Sequence, residues 1–309
     1  MKRGIWIGAA IVLLLAAAPA LWLVLGDDTR RAGALVEPTE SGDIGKLVIT
    51  GGKSGVITVP VRSFTWGLQM PRDAATGMAS GKRRYQPLQL LRPIDAPTAQ
   101  LFNMIATHET ISSARLDLIT TGATGKPTTA ATYTFKDALI TEWNDEPARG
   151  MLQLGYQTVE VTANAKALPP ASKTVGQMTL AGEIPVPITD FDADVTQPVD
   201  AASGLATGKR VHKPVTITRA IDSLMATLVP AAENNRAFAT LVIELQRTGG
   251  DGKPETYAKY TFGNARISEL EDSGAAGVGL SERLQLDYDS LEVQSGANVA
   301  VDQWRGGAS

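Results

Sequence analysis

An internal repeat constrains this chain more than any other feature, because a sequence that occurs twice is expected to fold as two similar units. When Gly55 is placed on Gly182, residues 55–143 align with residues 182–270 without a gap, and about 34 of the roughly 89 aligned positions are identical. After a short insertion, Leu152–Val161 (LQLGYQTVEV) aligns with Leu284–Val293 (LQLDYDSLEV). The sequence therefore predicts two copies of one module, at residues 44–162 (repeat 1) and 176–294 (repeat 2).

Each repeat reads mainly as β-strands. Segments such as KPVTITR (Lys213–Arg219) and TLVIELQRT (Thr240–Thr248) alternate apolar and polar residues, the period of a half-buried strand. Two further strands are predicted to form a hairpin around a Gly-Lys-Pro turn, which the chain writes twice. The turn residues are Gly125, Lys126 and Pro127 in repeat 1, and Gly252, Lys253 and Pro254 in repeat 2.

One short helix is predicted in each repeat, over residues 96–107 and 223–235. Asp95 and Asp222 precede them and can act as N-caps. Pro230 lies inside the second segment, so that helix should end or kink early. The predicted fold is mainly β: two tandem small β-barrel or sandwich units, each with one short α-helix, preceded by an N-terminal apolar helix.

The segments outside the repeats have distinct compositions. Lys2 and Arg3 precede an apolar run at 4–26, which is long enough to span a bilayer and predicts a cytoplasmic N-terminus. Cleavage as a signal peptide at Ala18-Pro19-Ala20 is the alternative, although the apolar run continues beyond that site. Residues 27–43 are predicted to be a tether, 163–175 a linker and 295–309 a flexible tail.

Composition excludes several functional classes. The chain has no cysteine, which rules out disulfides, cysteine-based zinc sites and thiol catalysis. The formal net charge of −3 and the 6% of aromatic residues argue against nucleic-acid binding. No catalytic constellation or cofactor motif is apparent, so the sequence predicts neither an enzyme nor a cofactor.

A glycine-rich loop occurs twice, as DAATGMASGKRRYQP (Asp73–Pro87) and DAASGLATGKRVHKP (Asp200–Pro214). It is not a P-loop, because three residues rather than four separate its glycines and an arginine replaces the Ser or Thr that ligates magnesium. The residues of interest in the first copy are Asp73, Gly77, Gly81, Lys82 and Arg83, and those in the second are Asp200, Gly204, Gly208, Lys209 and Arg210.

Three other groups could suggest chemistry. Asp190, Asp192 and Asp194 alternate like calcium ligands, but Val195 and Ala201 occupy positions where an EF-hand needs glycine and an acid. A strand is favoured instead, with these acids facing outward and Phe191, Ala193 and Val195 facing inward. His108 and His212 do not align with each other and are predicted to be surface or loop residues. Arg92 and Arg219 do align, and are predicted to bond a carboxylate within their own repeat.

The order of these motifs resembles the haemolysin-coregulated protein (Hcp) family, the tube protein of the bacterial type VI secretion system. Repeat 2 carries it best, with KPVTITRAIDSLMATLVPAA, then GGDGKPETYAKYTFGNARISELE, then LSERLQLDYDSLEV. SFTWGLQMP (Ser63–Pro71) in repeat 1 looks like the family's early strand, whereas repeat 2 reads DFDADVTQP there. The resemblance implies six-unit rings that stack into a tube, with the glycine-rich loops touching the neighbouring ring. The alternative for the loops is that both are solvated turns inherited from the duplication.

The resemblance leads to a specific expectation for a tandem chain. Three two-repeat chains could close one pseudo-sixfold ring, so the main expected partner is the chain itself, as a homo-trimer. Secreted effectors, secretion-machinery proteins and the inner membrane, through the apolar segment, are further expected partners. The alternative function is a membrane-anchored periplasmic binding or adaptor module that kept the fold without forming a tube. The chain would accordingly be inner-membrane anchored with periplasmic domains, or exported.

Overall fold

The computed structural model describes residues 34–71, 80–121, 126–164, 173–180, 183–203, 205–208 and 210–303. All of them fall within one compact unit, Ala32–Ser309. The predicted apolar helix at 4–26, the start of the tether, most of the linker and the end of the tail lie outside these residues. Within the described ranges, no helix is both long enough and apolar enough to cross a membrane.

Repeat 1 forms eight strands and one helix. They are β1 (Gly45–Gly51), β2 (Val56–Val61), β3 (Ser63–Gln69), β4 (Arg84–Arg92), α1 (Thr98–Ala106), β5 (Ile111–Thr121), β6 (Pro127–Glu146), β7 (Arg149–Gly155) and β8 (Thr158–Ala163).

Repeat 2 and the residues after it form the remaining elements. They are β9 (Gly176–Leu180), β10 (Val186–Ile188), β11 (Asp190–Asp192), β12 (Val195–Thr196), β13 (Val211–His212), β14 (Val215–Ala220), α2 (Met225–Glu233), β15 (Phe238–Thr248), β16 (Pro254–Ala275), β17 (Gly279–Asp287), β18 (Ser290–Ser295) and β19 (Asn298–Gln303). The last strand, β19, lies beyond the predicted repeat, in the segment that we expected to be a flexible tail.

The strands of each repeat form two antiparallel sheets that share one long strand. In repeat 1 the orders are β2-β1-β5-β6-β8 and β3-β4-β7-β6. In repeat 2 they are β10-β9-β15-β16-β18-β19 and β11-β14-β17-β16. These sheets remain open, so the prediction of a mainly β fold is confirmed as a two-sheet arrangement rather than a closed barrel.

The shared strands β6 and β16 pass from one sheet to the other at a kink. Asp137 and Asn264, which align in the two repeats, both have φ of 51°, a left-handed conformation that Asp and Asn tolerate better than most residues. Before the kink, β6 pairs with β5 and β8; after it, β6 pairs with β7. The two sheets consequently enclose apolar side chains, among which Trp66, Tyr133 and Phe262 are fully buried.

The two helices have the same length, nine residues each. Pro230 was expected to end or kink the second helix early, and an end at the proline is wrong because α2 continues past it. Helix α2 continues to Glu233 because Met225, Leu228 and Val229 are buried, and this burial offsets the hydrogen bond that proline cannot donate.

The N-cap predictions for Asp95 and Asp222 are wrong, because the N-cap residues are Pro97 and Leu224 and neither forms a side-chain cap hydrogen bond. Asp222 nevertheless accepts a backbone N–H beside the helix, that of Leu224 at 2.8 Å. In repeat 1 the Asp95 N–H instead donates to the Thr98 hydroxyl at 3.1 Å, and Asp95 Oδ1 is buried without a hydrogen-bond partner.

Candidate assembly interface

Repeat 1 and repeat 2 are joined by direct strand pairing between β3 and β16. Seven residue pairs form this antiparallel ladder, from Glu269 opposite Gln69 to Ala275 opposite Ser63. It links the two smaller sheets into one continuous sheet with the order β11-β14-β17-β16-β3-β4-β7-β6. We call this contact the internal joint. It leaves two strands, β11 and the second half of β6, at the outer edges.

The insertion that interrupts the repeat lengthens the internal joint. In repeat 1 the β6–β7 hairpin ends at Glu146 and Arg149, whereas in repeat 2 the β16–β17 hairpin continues to Ala275 and Gly279. The two extra residues of β16, Gly274 and Ala275, pair with Phe64 and Ser63. The described part of the tether adds to this contact, because the Ser63 hydroxyl donates to the Val36 carbonyl at 2.5 Å.

A buried polar cluster lies across the internal joint. The Tyr133 hydroxyl of repeat 1 donates to the Asp272 carboxylate of repeat 2 at 2.9 Å, and both residues are fully buried. Burial raises the pKa of Asp272 well above its usual range, and the nearby Glu282 carboxylate adds to the rise. Burial likewise raises the pKa of Glu282, although the adjacent Arg219 opposes that shift. The contact between the repeats is therefore polar and specific as well as apolar.

The prediction for the two aligned arginines is confirmed. Arg219 bonds Glu282 at 2.5 Å and Asp222 at 2.7 Å, all within repeat 2. Arg92 bonds Asp145 at 2.7 Å within repeat 1. The Asp145 side chain is 14% exposed, whereas Asp272, which aligns with it in the hairpin register, is fully buried.

Helix α2 completes the internal joint. Arg83 Nη1 donates to the backbone carbonyl of Glu233 at 2.8 Å, and the Tyr85 hydroxyl donates to the Glu233 carboxylate at 2.8 Å. The same helix also packs beside β8. Cations are favourable at a helix C-terminus, where backbone carbonyls lack partners. Repeat 1 thus holds the end of a helix that belongs to repeat 2.

The two sides of the internal joint are different surfaces. Repeat 1 contributes β3, Arg83, Tyr85 and β8, which we call the strand face. Repeat 2 contributes α2 and the free edge of β16, which we call the helix face. Because the two repeats align, repeat 1 also has a helix face and repeat 2 also has a strand face, and neither is used by the internal joint.

The unused helix face of repeat 1 has an exposed aromatic residue. Phe102 of α1 is 53% exposed, whereas Val229, which aligns with it in α2, is 3% exposed. Phe102 lies edge-on to Trp143 with ring centroids 5.3 Å apart. Residues Glu142–Glu146 of β6 pair with β7 on one side, and no other described strand pairs with them on the other.

The unused strand face of repeat 2 is acidic. The acids Asp190 and Asp192 are exposed on β11, as expected, and Asp194 forms an ion pair with Lys213. Phe191 faces inward as expected and packs against Tyr260, with ring centroids 4.9 Å apart. The expectation for Val195 is wrong, because its side chain is 43% exposed. Within the described ranges, no three acidic or histidine side chains converge as metal ligands would.

The described residues of the two glycine-rich loops include members of the strand faces. In the first loop, Asp73 and Gly77 lie outside the described residues; Gly81 has φ of +108°, Lys82 is exposed and Arg83 belongs to the internal joint. In the second loop, Gly204 and Lys209 lie outside the described residues, whereas Asp200 accepts the Ser203 N–H at 2.7 Å and Gly208 lies near Pro198. Arg210 bonds Asp302 of β19.

The predicted Gly-Lys-Pro turns fall at the ends of strand hairpins. In repeat 2, Gly252 has φ of +80° and Lys253 follows it in the loop, while Pro254 begins β16 opposite Thr248. In repeat 1, Pro127 begins β6 opposite Thr121, and Lys126 is exposed. Gly125 lies outside the described residues.

Sequence reasoning missed His212 and β19. The expectation that His212 is a surface residue is wrong, because its side chain is only 4% exposed and its Nε2 lies 3.2 Å from Asp302 Oδ2. Alignment on Tyr85 was the available signal, since that position is a half-buried aromatic in repeat 1. His108 is exposed as expected and has φ of 51°, close to the 49° of Asn235, with which it aligns.

Two stretches of the chain match a family model described as "Type VI secretion system effector, Hcp": residues 54–163 and residues 176–294. A curated relative, the "Major exported protein" of Pseudomonas aeruginosa, is 33% identical over 87 residues, which are 28% of this chain and 51% of that protein. The chain thus spans about half the length of the curated relative that it matches.

Solved structures also match part of the chain. "Secreted protein Hcp3 from Pseudomonas aeruginosa" matches with 24% identity, covering 39% of this chain and 76% of that chain, with a TM-score of 0.33. The Hcp1 protein from E. coli EAEC 042 matches with 16% identity, covering 43% of this chain and 99% of that chain, with a TM-score of 0.39.

Proposed function

Since the chain belongs to the Hcp family of the type VI secretion system, with a family match over each repeat, we propose that it is a structural ring protein. Three chains close a pseudo-sixfold ring, and each chain supplies two adjacent positions. In each joint between chains, the strand face of repeat 2 meets the helix face of repeat 1 of the next chain. The function is mechanical and needs no covalent chemistry.

One observation carries this proposal: the internal joint uses one strand face and one helix face, and the chain keeps one unused copy of each. Such heterologous surfaces close into a ring when the rotation between units divides a full turn. Applying the register of the internal joint to the outer edges places β11 and β12 opposite Glu142–Glu146 of the next chain. The exposed Phe102 would become covered there, whereas the aligned Val229 belongs to a helix that lies beside β8 and is already buried.

The joint between chains differs from the internal joint in length and charge. The β6 strand lacks the extension that pairs with Ser63 and Phe64, so fewer strand pairs can form. The same register puts Glu146 opposite Asp192, where the internal joint has uncharged partners. We therefore expect ring formation to strengthen with ionic strength, because salt screens this repulsion.

The duplicated loops have two roles in this proposal. Their final residues, Arg83 and Arg210, belong to the strand faces. Their earlier residues, around Gly77 and Gly204, contact the neighbouring ring if rings stack, as the family resemblance implies. Glycine and alanine permit close backbone approach there.

Disulfide trapping tests the joint between chains, and the absence of native cysteine makes this test clean. The substitutions Glu142→Cys and Thr196→Cys together place one thiol on each outer edge, at facing positions within disulfide range. Oxidation of the full chain in mild detergent at high protein concentration should give covalent dimers and trimers on denaturing gels, and no larger species.

The matched control is Gln69→Cys with Glu269→Cys, the aligned pair in the internal joint. It should form a disulfide within one chain and give no change in mass. Each single-cysteine variant should remain uncrosslinked beyond simple dimers. A ladder that continues past the trimer would argue for open filaments, and no specific crosslink in the double variant would favour the adaptor alternative.

A further inference from the structure

The strand face of repeat 2 is already occupied by another part of the same chain. In the internal joint, Arg83 and Tyr85 hold Glu233 at the end of α2. The residues aligned with them in repeat 2 are Arg210 and His212. Both hold Asp302 of the C-terminal strand β19: Arg210 bonds both carboxylate oxygens, and His212 Nε2 lies 3.2 Å from Oδ2.

A second contact points the same way. In the internal joint, β8 of repeat 1 lies beside α2 of repeat 2. The strand that aligns with β8 is β18, and β18 pairs instead with β19 over six residue pairs, from Ser290 opposite Gln303 to Ser295 opposite Asn298. Thus β19 contacts both parts of the strand face that a neighbouring helix contacts in the internal joint.

Repeat 1 has no counterpart to β19 among the described residues. After β8 the chain reaches Asn164 and then the linker that leads to repeat 2. A copy of β19 there would compete with α2, which is fixed nearby by the covalent connection. The additional strand is therefore found at the strand face that the internal joint does not use.

We infer that β19 is a removable cover on the strand face of repeat 2, and that the surface beneath it accepts the C-terminal end of α1 from a second copy of this chain. This inference rests on the proposed ring. When the cover leaves, Arg210 transfers from Asp302 to the backbone carbonyl of Ala106, the residue that aligns with Glu233. Ala106 has no carboxylate, so the contact keeps the hydrogen bond from the arginine and has no counterpart of the hydrogen bond between Tyr85 and the Glu233 carboxylate.

The cover is weak enough to be displaced. Its ion pair is partly exposed, with 46% of the Arg210 side chain and 31% of the Asp302 side chain accessible, and ion pairs open to solvent contribute little to stability. Strand β19 pairs on one side only and leaves Val299 and Val301 exposed. Because apparent affinity scales with the uncovered fraction, loosening the cover should lower the concentration needed for assembly.

The test compares full-length variants in mild detergent, with the mass of the assembly measured across protein concentration. Asp302→Ala removes the carboxylate and leaves Arg210 available, so its half-assembly concentration should fall about three- to tenfold relative to the unchanged chain. Deletion of residues 298–309 removes the whole cover and should lower it at least about tenfold.

Two further variants make the result specific. Arg210→Ala breaks the same ion pair but also removes the group that the second copy needs, so it should not promote assembly. Glu255→Ala breaks a comparable exposed ion pair with Arg247, away from both faces, and should leave assembly unchanged.

The outcomes separate the cover from the ring. If the unchanged chain, Asp302→Ala and the deletion variant all form trimers with the same half-assembly concentration, the cover is overturned and the ring is not. Promotion by Arg210→Ala equal to that by Asp302→Ala overturns the assignment of Arg210 to the second copy. Monomers at every concentration in all variants, without crosslinks between the two outer edges in the trapping test, overturn the ring and the cover together.

Discussion

Leu68 in β3 is 1% exposed, whereas Val195, which aligns with it in repeat 2, is 43% exposed. The two positions are equivalent in the repeat, and the repeats share even small irregularities of the backbone. For example, the ladders of β5 and β15 both shift register after an aligned leucine, Leu118 and Leu245. Two things differ: the local sequence, which is SFTWGLQMP in repeat 1 and DFDADVTQP in repeat 2, and the presence of a second repeat against the strand. The comparison teaches that the burial of a repeated strand depends on its neighbour as well as on its own sequence.

The largest expected effect concerns the two aligned arginines. Arg219→Ala leaves Glu282 and Asp222 buried without their cation and should lower the free energy of unfolding by about 3–5 kcal/mol. Arg92→Ala should cost less, about 1–3 kcal/mol, because its partner Asp145 is partly exposed. Urea unfolding of both variants measures the difference. Equal losses would contradict the idea that burial at the internal joint makes the cluster sensitive.

The next effect concerns the aligned strands. Leu68→Ala should lower the free energy of unfolding by about 2–5 kcal/mol, since it opens a cavity at the internal joint. Val195→Ala changes an exposed side chain and should stay within about 0.5 kcal/mol. Denaturant midpoints of the two variants give the comparison. A large loss from the valine variant would indicate that β12 is covered in the isolated chain.

A smaller effect is expected where α2 meets the strand face of repeat 1. Tyr85→Phe removes the hydroxyl that donates to Glu233 and should cost about 1 kcal/mol. Tyr257→Phe removes a hydroxyl from an exposed tyrosine and should be neutral within error, which makes it the control. The melting temperatures of both variants, measured at one pH, would show whether the internal joint extends to this contact. If the two variants behave alike, the Glu233 contact contributes nothing measurable.

The last effect depends on pH. The pKa of Asp272 is raised by burial, so the folded chain holds this proton more tightly than the unfolded chain. Stability from this residue is therefore present at acidic pH and declines as pH rises above the ordinary range for aspartate towards the raised value. Asp272→Asn keeps a polar group beside Tyr133 and should flatten this decline. Midpoints measured across the acidic to mildly alkaline range would show a slope unchanged by the substitution if Asp272 titrates normally.

The sequence predicted those features that depend on local patterns. Alternation along Lys213–Arg219 and Thr240–Thr248 predicted strands that the structure contains, and the alignment of the arginines predicted their carboxylate bonds. The internal joint could not be predicted, because β3 and β16 are far apart in the chain and Ser63, Thr65 and Gly67 have no pattern that names a partner.

Other failures have similar causes. Pro230 predicted a shortened helix from local propensity, but packing against both repeats overrides that propensity. His212 was predicted to be a surface or loop residue because it has no aligned histidine, and only tertiary structure brings Asp302 to it. The bonding partner of a polar residue at such a contact can come from a segment that is distant in the sequence.

The pairing of β3 with β16 has a consequence for the symmetry of any closed assembly. Neighbouring positions would alternate between two chemically distinct modules in fixed order, so the inner wall would repeat every third of a turn rather than every sixth. A molecule inside the ring would then contact three identical surfaces from repeat 1 that alternate with three identical surfaces from repeat 2. Because the two repeats of each chain are covalently linked, such a ring would dissociate into whole chains, at the shorter and more acidic joints between chains.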